Sequence, residues 1–361
     1  MSIATEHKAR VATAGNGGNG GSHGNGIGTG GGRHGGAGGS GGAAGNHRFL
    51  AAVARFVSRN GALVGLVILC IVLAFATPAF LTANNILNVG IQCATVAILA
   101  FGQTFVIVAA GIDLSVGAVA AFSSMIMAIT GASMGWNPWL TILAGLLTGA
   151  AMGTLSGIAN AFLRLPSFIA TLAMMSVARG LTLVVSNGRP VSTSSLVNFF
   201  GSTVGHIPMP IVTMVVMGVV ASIILNLTSI GRSMYAVGGN MEAARLSGIS
   251  VHKTQIVVFM LSGLFAAVAG LVIAGRLHSA QPQAADGYEM DAIASVVIGG
   301  ASLAGGKGKI SGTFVGAILL AVIRNGLNIL NVSSFWQEVV IGLVIAFAVS
   351  VDTVRRKVDA H

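Results

Sequence analysis

The sequence predicts an all-α bundle of about ten membrane-spanning helices with both termini in the cytoplasm. Three observations predict it. Of 361 residues, 54% are hydrophobic and only 8% are charged, against roughly 25% charged in a soluble globular domain. Apolar runs long enough to cross about 30 Å of hydrocarbon, which takes about 20 residues, recur between positions 61 and 351. The Lys and Arg residues also gather in alternate connections, the pattern that orients spans in a membrane.

Residues 1–48 come first, and from Gly15 to Gly45 they are mostly Gly with Asn, Ser and His. Such a segment buries too little apolar surface to offset its ordering entropy, so a disordered cytoplasmic tail is expected. Its histidines, His7, His23, His34 and His47, are irregularly spaced and predict no metal site. No apolar run precedes residue 49, so no cleavable signal peptide is expected. Residues 49–361 read as one transmembrane domain with a cytoplasmic loop at 229–254.

The predicted spans lie near 61–80, 86–111, 114–134, 138–163, 167–186, 208–228, 255–275, 291–304, 309–330 and 335–351. Gly111 to Asp113 alone separate the second from the third. The eighth is short and Gly-rich, which predicts a broken or re-entrant helix, tolerated at membrane depth only where protein or water covers it. With the amino terminus inside, the cytoplasmic segments hold Lys8, Arg10, Arg33, Arg48, Arg55, Arg59, Arg164, Arg232, Arg245, Lys253, Lys307, Lys309, Arg355, Arg356 and Lys357. Of all 19 basic residues, only Arg179, Arg189, Arg276 and Arg324 fall elsewhere, and an odd span count would put a basic terminus outside. Gly145, Gly149, Gly153 and Gly157, and again Gly308, Gly312 and Gly316, recur every four residues, a spacing that lets helix backbones approach closely in lipid.

Several chemistries are excluded. Cys70 and Cys93 both fall in apolar runs, which predicts buried small apolar residues and neither a disulfide framework nor a metal site. The net charge of +10 is scattered and aromatics are few, so no nucleic-acid surface is expected. Gly300 to Lys307 resembles a phosphate loop, but the glycine spacing is off by one and Gly308 stands where Ser or Thr would hold magnesium. No catalytic arrangement stands out, so the chain reads as no enzyme.

Between two apolar runs, Gly231 to Lys253 is unusually charged, and Gly238-Gly239 within it reads as a turn. Asn240 to Leu246 read as a short helix: Asn240 caps it, Glu242, Ala243, Arg245 and Leu246 favour it, and Gly248 ends it. Two readings stay open for it, a lever receiving force from a soluble partner and an ordinary solvated loop helix.

Eight motifs then appear in order: GIDLSVG at 111–117, PSFIATL at 166–172, NG-x-PV at 187–191, GGN-x-EAARLSGI at 238–249, SAQP at 279–282, GYE-x-DAIA at 287–294, GG-x-SLAGGKG at 299–308 and NGLN at 325–328. Together they make the chain resemble the permease subunits of ribose-type, monosaccharide-importing ATP-binding-cassette systems, from about residue 60 to 352. The resemblance implies a multi-pass protein of the bacterial inner membrane working as a homodimer. It implies a cytoplasmic ATP-binding subunit that carries ATP and Mg, with no cofactor in this chain, and a periplasmic sugar-binding protein outside. It also makes 238–249 a coupling helix, with Glu242 and Arg245 as polar contacts and Leu246 as an apolar anchor. Ribose leads among the sugars; xylose, galactose, arabinose and inositol stay open.

Under that resemblance other residues gain a candidate role. Asp113 and Ser115 either line the translocation pathway or cap the next helix. Asn325 and Asn328 share a helix face and either bond sugar or join helices, and Phe168, with Thr171 beside it in the same motif, either stacks on a sugar ring or packs. Arg179 and Arg324 are expected to snorkel or to pair with Glu289, Asp291 or Glu338. Arg276, Gln281, Asp286 and Glu289 offer polar groups where a binding protein would dock. Two alternatives remain: a branched-chain amino-acid-type permease, and an ion-coupled secondary transporter, for which the chain offers few buried acids.

Overall fold

A computed structural model describes residues 61–359; the predicted tail at 1–48 and the basic residues from Lys8 to Arg59 lie outside them. Among the described residues the regular structure is helical apart from four two-residue strands. Helix α1 spans Gly61–Ala76 and stops before Pro78, which cannot continue it. Helix α2, Ala83–Val108, is buried without interruption from Ala97 to Val108. Helix α3, Val116–Ala128, runs on through a π turn at Ile129–Ser133. Helix α4, Pro138–Phe162, starts where Asn137 Oδ1 accepts from Trp139 N at 3.0 Å and Pro138 takes the first helical position. Helix α5, Ser167–Ser186, follows Pro166 and ends on Asn187 at φ +52°.

Strand β1 (Val191–Ser192), helix α6 (Ser195–Phe199) and the hairpin of β2 (Thr203–Val204) and β3 (Ile207–Pro208) lead into α7, Met209–Leu227. Helices α8 (Ser229–Gly239) and α9 (Met241–Leu246) meet at Asn240, and α10 spans Val251–Leu277. Strand β4 (Ser279–Ala280) pairs antiparallel with β1, Val191 opposite Ala280. Helices α11 (Tyr288–Ile298), α12 (Ile310–Ile329) and α13 (Ser334–Asp359) complete the chain.

Among the described residues, seven helices are long and apolar enough to cross a membrane: α2, α3 with its π turn, α4, α5, α7, α10 and α12. The apolar parts at Gly61–Ala76 and Ser334–Phe347 are shorter. The eighth predicted span, expected to be broken or re-entrant, is a short helix followed by a glycine turn. Its helix has 11 residues and stops at Ile298, about 16 Å of rise against a core of about 30 Å. Gly300, Gly305 and Gly306, at φ +90°, +88° and +71°, turn the chain back into α12. The break between the second and third spans is also wider than predicted, from 109 to 115. Helix α8 was not foreseen. Gly238 and Gly239, which read as a turn, are its last residues.

Both glycine series sit at helix contacts. A Cβ at Gly149 or Gly153 would strike the backbone oxygen of Gly263 or Phe259 on α10, and one at Gly157 would come within 2.7 Å of the Ile256 Cα. A Cβ at Gly312 or Gly316 would strike the Gly299 or Ser295 oxygen at the end of α11. Only glycine allows these approaches. Cys93 is buried and Cys70 half-buried, and both are free.

One pattern occurs twice. A helix of 26 or 27 residues, α2 or α10, is followed by a non-helical stretch and then a shorter helix, α3 or α11. Helix α3 meets the second stretch where Gly117 lies under the Ala285 carbonyl, with the Glu289 Oε2 2.7 Å from where a Cβ would be. The ends of α2 and α8 and the loop before α12 gather at one end of the bundle, with Arg232, Arg245, Lys307 and Lys309. The charge rule makes that the inner end; β1 to β4 lie at the other.

Candidate functional site: an inner-end lever and a helix break

Helix α9 is built by local rules. The Asn240 side chain accepts from Ala243 N at 2.9 Å, and Gly248 at φ +84° ends the turn. Arg245 reaches back along the same face to Glu242, in a pair whose side chains are 62% and 67% exposed. That hydrogen bond, then the charge of Arg245, holds the Glu242 carboxyl below the usual carboxylate range. Ala244 packs inward with Val237 and Val251, while Met241 and Leu246 face out, Leu246 75% exposed. An exposed leucine beside an exposed ion pair, on a helix held from behind, suits a groove in a partner. Ala243 takes part through its backbone: its amide meets Asn240 and its carbonyl accepts from Ser247.

The break between α2 and α3 places backbone inside the bundle, and each of its polar groups needs a partner there. Gly111 N donates to Val106 O at 2.8 Å, Ile112 N to Ser167 Oγ at 3.1 Å and Leu114 N to Thr171 Oγ1 at 3.1 Å. The Gln103 amide, oriented to satisfy both its groups, donates to Asp113 O and accepts from Asp113 N, each at 3.1 Å. The Asp113 carboxylate, in a residue only 1% exposed, accepts from Ser115 N at 2.9 Å, Ser115 Oγ at 2.6 Å and Ser262 Oγ at 2.7 Å. Asp113 thus fixes Ser115, the residue just before α3, and ties it to α10. Ser115 and Thr171 are buried in the same cage.

The other candidates are dispersed. Asn325 is buried and exchanges two hydrogen bonds with Asn85, at 3.0 and 2.8 Å, so it joins α12 to α2. Asn328 is exposed one turn away. Phe168 is 50% exposed on α5, clear of the Asp113 cage that its neighbour Thr171 helps to form. Arg324 Nη2 lies 2.6 Å from Asp291 Oδ2, linking α12 to α11. Arg179 of α5 donates to the Pro282 and Ala284 carbonyls at 3.1 and 2.8 Å and pairs with Asp286 at 3.3 Å. Toward the outer end, Gln281 and Asp286 are exposed and Arg276 is half-buried, while Glu289 is buried over Gly117 and offers little to a docking surface.

Sequence reasoning passed over Gln103, Ser262, Asn85, Ser167 and Tyr235. A polar residue inside an apolar run was the available signal for the first two, since hydrocarbon leaves such a group to find a protein partner.

A family profile described as the permease component of a branched-chain amino acid transport system matches residues 85–349. The ribose import permease protein of Escherichia coli K12 is 44% identical over 303 residues, covering 81% of this chain and 93% of its own. That of Bacillus subtilis 168 is 46% identical over 302 residues, covering 82% and 93%. The chain belongs to the ribose-type family of ATP-binding-cassette permeases. The permease protein of the D-allose transport system of Escherichia coli K12 is 38% identical over 308 residues, covering 84% and 94%. Permeases of this family are multi-pass proteins of the inner membrane, and the membrane-length helices here agree with that. Membership replaces the reading as an ion-coupled secondary transporter.

Proposed function

We propose that the chain is the membrane-spanning subunit of an ATP-driven monosaccharide importer, with ribose as the first candidate sugar. The observation that carries this reading is the identity of 44% and 46% to ribose import permeases across 93% of their lengths. The exposed lever α9 supports it, because a permease without a nucleotide site of its own needs such a contact. In this reading two copies pair, a cytoplasmic ATPase holding ATP and Mg receives α9 in a groove, and a sugar-binding protein docks at the outer end. Closure of the ATPases carries α9 along, and the spans tilt as rigid bodies between outward and inward states. Sugar affinity resides in the binding protein, and the pathway holds sugar weakly.

Uptake into vesicles carrying the permease with its ATPase and binding protein tests this. Radiolabelled ribose should accumulate with ATP inside and continue after ion gradients are collapsed. Uptake that stops with the gradients would refute the ATP-driven reading. The family description favours a second cargo, a branched-chain amino acid. Saturable uptake of radiolabelled leucine, with no uptake of radiolabelled ribose, would establish that cargo instead.

A further inference from the structure

We propose that Tyr235 is the positioning residue that carries movement of α9 into the membrane-embedded helices. This rests on the importer reading and names the route inside the permease. Helices α8 and α9 move together. Asn240 joins them, its carbonyl accepting from Ala244 N at 2.9 Å, and Ala244 packs with Val237 of α8 and Val251 of α10. Helix α8 is in turn seated on two other segments. Tyr235 Oη donates to the Gly308 carbonyl at 2.6 Å. Gly238 lies so close to the Val108 carbonyl that a Cβ there would strike it, and Gly306 N donates to that same carbonyl at 2.9 Å.

The junction therefore binds α8, the end of α2 and the loop before α12. Each segment leads to a cluster described above. On α2, Gln103 grips Asp113, whose carboxylate holds Ser262 of α10. The loop joins α11 to α12, and these are paired by Asp291 and Arg324. Force entering at Glu242 and Arg245 thus has a bonded path to α2, α11 and α12. The other hydrogen bond across the junction, from Gly306 N to the Val108 carbonyl, is backbone to backbone, and Met234 and Gly238 add packing alone. The phenol of Tyr235 is the side-chain bond there that a substitution removes while keeping the ring.

The test compares wild type with Tyr235→Phe in the full chain, reconstituted with its ATPase and sugar-binding protein in proteoliposomes. The ATPase should co-purify with the variant in wild-type amount, because α9 is untouched. Uptake, and the sugar moved per ATP hydrolysed, should both fall about tenfold, the effect of losing one strong hydrogen bond from the coupled state. A variant that keeps both within about twofold of wild type overturns the proposal. Should wild type itself move no sugar with ATP, the importer reading fails, and hydrogen exchange on the permease alone decides the junction. Faster exchange in Tyr235→Phe at the Gly306 amide and in α8 together supports it, and unchanged exchange at Gly306 refutes it.

Discussion

Arg245 folds back over one turn of α9 so that its Nη2 lies 2.5 Å from Glu242 Oε1 and its Nε 3.1 Å from Oε2. Both side chains stand in solvent, so the pair adds little to folding. It presents one anion and one cation beside the exposed Leu246.

Charge reversal separates these roles. Glu242→Arg and Arg245→Glu should each lower ATP-driven uptake by about ten- to a hundredfold, the cost of losing a charged hydrogen bond to a partner. Protein yield in the membrane should not change, because neither side chain supports the bundle. Undiminished uptake in both variants would remove α9 from the coupling path. The pair should also survive mild acid. The folded Glu242 pKa is lowered, so its interaction is present above the ordinary Glu value of about 4.3 and fades as pH falls through the lower folded value.

Asp113→Ala should destabilise the purified permease by about 1–3 kcal/mol, because the Ser115 amide and the Ser115 and Ser262 hydroxyls would lose their acceptor. Thermal denaturation in detergent measures this. A melting temperature equal to that of wild type would mean that the cage does not hold α3 to α10.

The reciprocal pair of Asn85 and Asn325 predicts a coupling energy of about 0.6–1.7 kcal/mol in a double-mutant cycle with alanine. If Asn325 instead contacts sugar, Asn325→Ala should raise the half-saturating sugar concentration and show no coupling to Asn85.

Gly263→Ala should disrupt the bundle, since its Cβ would enter the Gly149 carbonyl, and forced separation of packed backbones costs about 1–3 kcal/mol. Gly180→Ala should be tolerated, because nothing lies within 4 Å of the added atom. Membrane expression and melting temperature of the two variants give the comparison, and equal behaviour would contradict the close α4–α10 contact.

Much of this was legible in the chain because it depends on near neighbours. Asn240, Ala243 and Gly248 define α9 through bonds and turns spanning a few residues, and the four-residue glycine spacing marks a close helix contact wherever it occurs. Long apolar runs disclose spans, since hydrocarbon imposes a minimum length on any helix that crosses it. Local signals misled where a neighbour from elsewhere decided the outcome. Gly238 and Gly239 read as a turn, yet they continue α8, and at Gly238 the missing side chain admits the Val108 carbonyl.

The class, the long apolar helices and the short capped helix α9 are thus readable from the order of residues alone. Tertiary structure alone decided which polar residues inside the bundle are spoken for. Ser262 meets Asp113 across 149 positions, Asn325 meets Asn85 across 240, and Tyr235 meets Gly308 across 73. A buried polar group must find a partner, but which one it finds depends on how whole helices stack, and no local spacing encodes that.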